Sequence, residues 1–258
     1  SSDLLFWGTP ALQFVPWRDL AWELLKSGEL PLWNPLNGMG APLLANYQSA
    51  LAYPPTWVLF GLSWLGGIKW AAWGQAVLVW LHWCLAAIGM ARLSRGLGLG
   101  SLSQVVSGLA FGLGGYLVAR AGFLSINAAV AWLPWMFHYA GQVASSELRR
   151  EGNWVSALIK FSFIGALQLL AGHAQTAWYT CLGAFLWAGY WSWMDGKPGR
   201  RDSGNDSRQP LLRIVGLSHA WARLGLGYLL AGILAAVQLL PTAEYLAQSQ
   251  RASEVTFE

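Results

Sequence analysis

The longest uncharged stretch of this chain limits its fold more than any other feature. Phe161–Met194 covers 34 residues without an Asp, Glu, Lys or Arg. One membrane crossing needs about 20 mainly apolar residues, so this stretch predicts two crossings joined by a turn. Gly172 lies near its middle and is followed by the polar residues His173 and Gln175. We therefore place the turn at residues 172–175.

Four more uncharged stretches are long enough for one crossing each. They are Trp70–Ala91, Ser101–Ala119, Ala121–Ser146 and Leu224–Ala243. Charged residues make up 11% of the chain, against about 25% in an ordinary soluble domain. The sequence therefore predicts an all-α integral membrane fold with a transmembrane bundle at 70–258. Its six predicted spans are about 70–92, 102–119, 124–143, 154–172, 175–194 and 223–241.

The basic residues indicate an orientation for these spans. Eleven of the 16 Lys and Arg residues lie on the side that contains the loop 195–223, and five lie on the other side. Because basic loops stay in the cytoplasm, we expect the loop 195–223 to be cytoplasmic. Residues 1–69 and the 172–175 turn are then extracytoplasmic. This distribution accounts for the net charge of +4 without nucleic acid as a partner.

The extracytoplasmic segment 1–69 has two parts. Trp17–Ser27 has the apolar spacing of an amphipathic helix on the membrane surface, with its charged residues on the wet face. Leu30–Ile68 has no charged residue but holds five of the eleven prolines. Irregular backbone near membrane depth must be covered by protein or line a cavity. We expect this part to fold over the outer helix ends, with an interfacial helix at Thr56–Leu65.

Several short motifs, taken in order, resemble the bacterial YfhO-type membrane proteins. The motifs are Leu12–Arg18 (LQFVPWR), Gly28–Pro35 (GELPLWNP), Gly38–Gln48 (GMGAPLLANYQ), Tyr53–Pro55 (YPP) and Gly172–Gln175 (GHAQ). The resemblance covers almost the whole chain. It implies a fold similar to the GT-C membrane glycosyltransferases, a site in the bacterial inner (plasma) membrane, and a longer protein of which this chain is a part.

The resemblance also implies a chemistry. GT-C enzymes transfer a sugar from a polyprenyl-phosphate carrier, here to a cell-envelope glycan acceptor, with an essential carboxylate in the first outer loop. In many relatives an acid lies a few residues before the Pro-Trp pair, but residues 8–13 here contain none. Asp3 is the nearest carboxylate and is our candidate catalytic acid, the alternative being a solvated loop residue. A divalent metal is compatible with this chemistry, although no cluster has metal-ligand spacing.

Polar residues on the predicted outer side are candidates for the remaining roles. His173 is the second catalytic candidate, and Gln175 could bind a phosphate or a sugar hydroxyl; capping of the turn is the alternative for both. Arg120 could face a lipid phosphate or anchor the interface. The other candidate substrate-binding residues are Trp33, Asn34, Asn46 and Glu244.

Two other functions fit the same sequence. A transporter or flippase of lipid-linked molecules predicts ionisable residues at mid-membrane depth, and apart from histidines the predicted spans hold none near their centres. A non-catalytic envelope-assembly protein needs no acid before Pro16. Membrane lipid is a partner under all three hypotheses.

Overall fold

The computed structural model describes residues 10–149, 153–195 and 209–248. Most of these residues are helical, and a single turn of π-helix (Pro10–Phe14) precedes the first α-helix. A two-stranded antiparallel hairpin pairs β1 (Trp33–Asn34) with β2 (Ala41–Pro42). The predicted helical fold class is confirmed. The helices are α1 (Val15–Lys26), α2 (Pro54–Gly66), α3 (Ile68–Gly96), α4 (Ser101–Gly112), α5 (Gly115–Ala119), α6 (Leu124–Ala131), α7 (Leu133–Ala144), α8 (Ser146–Arg149), α9 (Trp154–Leu170), α10 (Ala174–Asp195), α11 (Gln209–Leu234) and α12 (Ala236–Gln248).

Two of the described helical segments are long and apolar enough to cross a membrane. They are Ile68–Gly96 and Ser101–Ala119, the second of which is α4 and α5 taken together. Arg213–Leu234 and Ala236–Gln248 form a third candidate if the bent pair is one span. Trp154–Leu170 is apolar but shorter. By length and composition the described residues thus contain two or three candidate crossings, fewer than the six predicted.

Two predicted spans are interrupted in the structure. The stretch 124–143 is divided between α6 and α7 at Trp132, and Pro134 lies in the first turn of α7, where its missing N–H costs no hydrogen bond. The stretch 223–241 was predicted as one helix, but α11 and α12 meet at a bend of 84°. The bend falls at Ala235, which is fully buried against Ala128 and Ala171. The uncharged composition of this stretch gave no indication of the bend.

Small residues let the helices of the bundle approach closely. Ala184, Ala188 and Leu224 pack with Met136 and Phe161 in the core that α7, α9, α10 and α11 share. In a second contact, Gly108 and Gly112 of α4 lie against the backbone of α3. A Cβ atom at Gly108 would be 2.8 Å from the Ala87 oxygen. Close approach of this kind gives helix pairs their van der Waals contact in lipid, where the hydrophobic effect between helices is absent.

The ends of the helices meet at two ends of the bundle. At one end, the Ser145 hydroxyl donates to Asp195 Oδ1 at 2.8 Å and so joins the end of α7 to the end of α10. At the other end, Asn127 Nδ2 donates to the Arg120 oxygen at 2.6 Å, and Ala171 packs in the same cluster as Ala50. The 22 residues of α10 separate the two ends by about 30 Å.

A chain of buried hydrogen bonds joins the N-terminal segment to the bundle. Trp132 Nε1 donates to the Tyr53 hydroxyl oxygen at 2.9 Å, and this hydroxyl lies 2.8 Å from His82 Nε2. His82 Nδ1 lies 2.6 Å from the Leu78 oxygen. A carbonyl only accepts, so Nδ1 carries the ring proton and Nε2 accepts from Tyr53. Every side-chain polar atom in this series of hydrogen bonds has a partner, and Tyr53 is 1% exposed.

Replacing Tyr53 by Phe tests the contribution of this chain to stability. Tyr53→Phe leaves His82 Nε2 and Trp132 Nε1 buried without their partner, and we expect it to lower the free energy of unfolding by about 1–3 kcal/mol. Thermal unfolding in detergent, followed by tryptophan fluorescence, measures the effect. Tyr116→Phe is the matched control, because Tyr116 is exposed. Equal melting temperatures for the two variants would contradict the prediction.

Candidate functional site

The segment of residues 38–53, which we call the roof segment, is irregular but its carbonyl groups are paired by side chains. Gln238 Nε2 of α12 donates to the Leu44 oxygen at 2.7 Å. The Thr242 hydroxyl, one turn further along α12, donates to the Ala45 oxygen at 3.0 Å. These bonds hold the roof segment against α12 at one end of the bundle.

The roof segment also packs directly on the turn between α9 and α10. The Tyr47 hydroxyl donates to the Leu169 oxygen, and burial raises the pKa of Tyr47 to about 12, which keeps its proton in place. Gly172 has a φ of +83°, which favours glycine. A Cβ atom at residue 172 would lie 2.7 Å from the backbone carbonyl oxygen of Tyr47 and 3.0 Å from Ala50 Cβ. The backbone contact therefore requires the glycine at this turn.

His173 lies next to this contact and caps α10. Its Nδ1 accepts the backbone N–H of Thr176 at 3.3 Å and lies 2.7 Å from the Thr176 hydroxyl. An accepting Nδ1 places the proton of the neutral ring on Nε2. Burial and, to a smaller extent, the charge of Arg120 lower the pKa of His173. At neutral pH the half-buried ring is thus an uncharged donor close to a cation.

The shared surface formed by the roof segment, residues 172–176 and Arg120 is our candidate site. Arg120 is exposed, ends α5 and lies over the Phe123 ring at 5.8 Å. Arg120 and His173 lie at the same end of the bundle, because Asn127 donates to the Arg120 oxygen while the neighbouring Ala128 packs in one cluster with Ala171. A neutral N–H donor beside an exposed guanidinium is suited to binding a phosphate or a sugar hydroxyl.

The predicted asparagines have structural partners of their own. Asn46 Oδ1 accepts the Gln48 N–H at 3.2 Å and caps the short helix Tyr47–Ser49 within the roof segment. Asn34 is buried, and its Oδ1 accepts the Leu36 N–H at 2.9 Å. Trp33 is half-exposed, and its indole ring covers Gly40. Asn46 thus lies in the candidate site, while Trp33 and Asn34 belong to the β-hairpin.

Of the other predicted residues, Gln175 lies within the candidate site, and Glu244 lies on α12 beside the roof segment. Gln175 is exposed and donates to the Tyr179 hydroxyl at 2.9 Å along α10. Glu244 is exposed on α12, two residues after the roof contact of Thr242. Asp3 lies outside the described residues. Across the described parts of the chain, no group of three or more His, Cys, Asp or Glu side chains could hold a metal ion.

Arg18 lies outside the candidate site and is a buried charge that the sequence did not predict. It is one of the charged residues of the predicted surface helix, but the structure buries it at 4% exposure, with a hydrogen bond from α1 to Gln75 of α3. A signal was present, since Phe14, Trp17, Arg18 and Ala21 have the i, i+3, i+4, i+7 spacing of one helix stripe. Phe14 and Ala21 are fully buried, so Arg18 lies in the core-facing stripe of α1.

The chain matches no protein-family model, no curated protein and no solved structure. The resemblance to the YfhO-type proteins therefore stays a prediction.

The capping contact of His173 predicts a pH dependence of stability. The pKa of His173 in the folded chain lies below its ordinary value of 6.5, so protonation of the ring favours the unfolded chain. The contribution of the His173 cap to the free energy of unfolding is therefore lost as the pH falls below about 6.5. His173→Asn keeps a capping acceptor that does not titrate. We expect its melting temperature to fall less than that of the wild type between pH 7.5 and pH 5.

His173→Ala provides the comparison for the cap itself. Loss of the capping acceptor should lower stability by about 0.5–2 kcal/mol at pH 7.5. The difference from the wild type should shrink as the pH falls, because the wild type then loses the contribution of its own cap. Identical pH profiles for the wild type and His173→Asn would show that His173 does not contribute to the pH dependence.

Proposed function

We propose that this chain is part of a GT-C-like membrane glycosyltransferase, which moves a sugar from a polyprenyl-phosphate carrier to a cell-envelope acceptor at the outer face. The observation that carries the proposal is the contact between the roof segment and the turn at Gly172. This contact holds Asn46 and His173 at one end of the bundle, where Arg120 also lies through its bond with Asn127. A transferase of this kind needs donors and cations for the leaving phosphate at the membrane surface.

The state of His173 gives it a specific role in this proposal. With Nδ1 occupied as the cap of α10, Nε2–H is a donor and cannot accept a proton from a hydroxyl group. His173 then stabilises the oxygen on which negative charge develops as the sugar–phosphate bond breaks. Activation of the acceptor hydroxyl falls to a carboxylate, for which Asp3 is the proposed residue.

The proposal includes a six-span topology in a bacterial inner membrane. The passes are α3, α4–α5, α6–α7, α9, α10 and α11, with α12 across the outer ends. Support comes from the alternating helix ends, since Ser145 meets Asp195 at one end while Arg120 and Gly172 lie at the other. The basic loop 195–223 is then cytoplasmic and residues 1–69 are extracytoplasmic.

Reporter fusions test this topology. Alkaline phosphatase fused after residue 121 or 172 should be active, because the enzyme needs the periplasm, and a fluorescent protein fused after residue 149 or 202 should be bright. A fusion after residue 37 serves as an outer-side reference. Active phosphatase at residue 202 would rule out the proposed orientation.

Substitution of His173 in the full-length protein tests the transferase. His173→Asn keeps the cap but replaces the imidazole donor, and we expect sugar transfer from a polyprenyl-phosphate donor to fall about 10²-fold or more. His219→Asn is the matched control, because His219 is exposed on α11 and lies away from the candidate site. The measurements are transfer in isolated membranes and the cell-surface glycan profile.

The alternatives give different results in the same strains. A deletion strain with an unchanged glycan profile would contradict the transferase and favour an assembly role. Vesicles that take up a labelled lipid-linked sugar, without transfer to an acceptor, would favour a flippase. Full transfer by His173→Asn would remove His173 from the mechanism.

A further inference from the structure

The guanidinium of Arg18 has one edge without a partner. Its Nη1 donates to Gln75 Oε1 at 2.5 Å, but Nε and Nη2 are buried and have no hydrogen-bond partner among the described residues. Arg18 forms no ion pair with a described carboxylate. The centre of the Phe14 ring lies 5.6 Å from the guanidinium carbon, which is a cation–π contact. This contact does not supply a hydrogen-bond acceptor for Nε or Nη2.

This arrangement is costly for a structural arginine. A buried cation without a counter-charge is destabilising by several kcal/mol, and arginine does not escape the cost by losing its proton. Burial lowers the pKa of Arg18 to about 10, so the side chain is still charged at neutral pH. A methionine or leucine would fill the same core-facing position of α1 at no such cost. The unpaired charge therefore indicates a negatively charged ligand.

Arg18 lines a small cavity whose wall is mainly apolar, with Val15 and Leu59 among its residues, and which has a few polar groups. The cavity lies between α1, α2 and α3, and the buried side chains of Ser63 and Gln75 line it together with Arg18. Ile68, Ala71 and Asp19 are more exposed and form its mouth. Its volume of about 10 Å³ holds one oxygen atom rather than a whole headgroup. A ligand would place one oxygen inside and leave the rest of the group at the mouth.

The geometry favours a phosphate group. Nε and Nη2 lie on the same edge of the guanidinium, and this edge matches two oxygens of one oxyanion. The mouth opens where α3 begins, beside the exposed apolar side chains of Trp64, Leu65 and Trp70. Exposed Trp residues at the end of an apolar helix are typical of the headgroup level of a membrane. At that level the abundant oxyanion is phosphate.

We propose that Arg18, with Gln75 and Ser63, forms a phosphate-binding site between α1, α2 and α3. The ligand is the phosphate of a lipid headgroup or free phosphate, which present the same oxygens. The site is separate from the candidate surface at His173. It does not depend on the transferase, and a failure of His173→Asn to change sugar transfer leaves it untouched.

Binding to the purified full-length protein in detergent tests the site. The probes are inorganic phosphate, with chloride at equal ionic strength as its reference, and phosphatidylglycerol, with diacylglycerol of the same acyl chains as its reference. We expect a rise in melting temperature with a phosphate-bearing probe only. Arg18→Lys keeps the charge but loses the two-pronged edge, and it should weaken the Kd at least tenfold. Arg95→Lys, at an exposed arginine in the last turn of α3 and so far from the mouth of the cavity, should leave the Kd unchanged.

A second variant covers the case in which Arg18→Lys does not fold. Gln75→Glu accepts the same Nη1 bond and neutralises Arg18 within the protein, so the unliganded melting temperature should be kept or raised. The affinity for the phosphate probe should fall at least tenfold, because the guanidinium no longer carries an uncompensated charge.

The outcomes separate the sources of the phosphate. Binding of phosphatidylglycerol but not inorganic phosphate assigns the site to a lipid headgroup, and binding of inorganic phosphate shows that the free anion is sufficient; either supports the site. Absence of binding by both probes, or an unchanged Kd in both Arg18→Lys and Gln75→Glu, would overturn it.

Discussion

The need to pair backbone groups away from water governs the end of the bundle that the roof segment covers. Much of the roof segment lies outside helices and strands, so several of its carbonyl groups accept hydrogen bonds from side chains. A backbone group left unpaired in a membrane costs several kcal/mol. Side chains supply the partners: Gln238 and Thr242 donate to the roof from α12, and Thr56 and Trp57 donate to Ala50 and Leu51 from α2. The bend before α12 and the turn at Gly172 both serve this arrangement.

The positions of the helices could be predicted from the sequence, but the breaks and bends within them could not. Absence of charge over about 20 residues fixes where a helix can lie in lipid, and it located the stretches that became α3, α9 and α10. The bend falls at Ala235, which packs in one cluster with Ala128 and Ala171, residues that are distant in the chain. Such packing leaves no local pattern in the sequence. Of the six predicted crossings, two or three are candidates by length and composition among the described residues, and the count of six stays a prediction.

The candidate site was predictable in outline and not in chemical detail. Gly172 and the prolines placed the turn and the roof on one side, and the structure joins them through Tyr47. The tautomer of His173 depends on the Thr176 N–H, which only the folded cap supplies. The burial of Arg18 was misread because charge was given more weight than its position in the apolar stripe of α1. At such positions, charge within a buried stripe is itself the informative signal.

The hydrogen bonds from Trp132 through Tyr53 and His82 to Leu78 have one further consequence. A proton wire requires each member to take up a proton on one side and release one on the other. The indole at the start cannot take up a proton, and the peptide oxygen at the end cannot hand one on. Although it contains a buried histidine and a phenol, this path is closed to Grotthuss transfer at both termini. Its polar groups stabilise the packing of the N-terminal segment on the bundle and do not transfer protons.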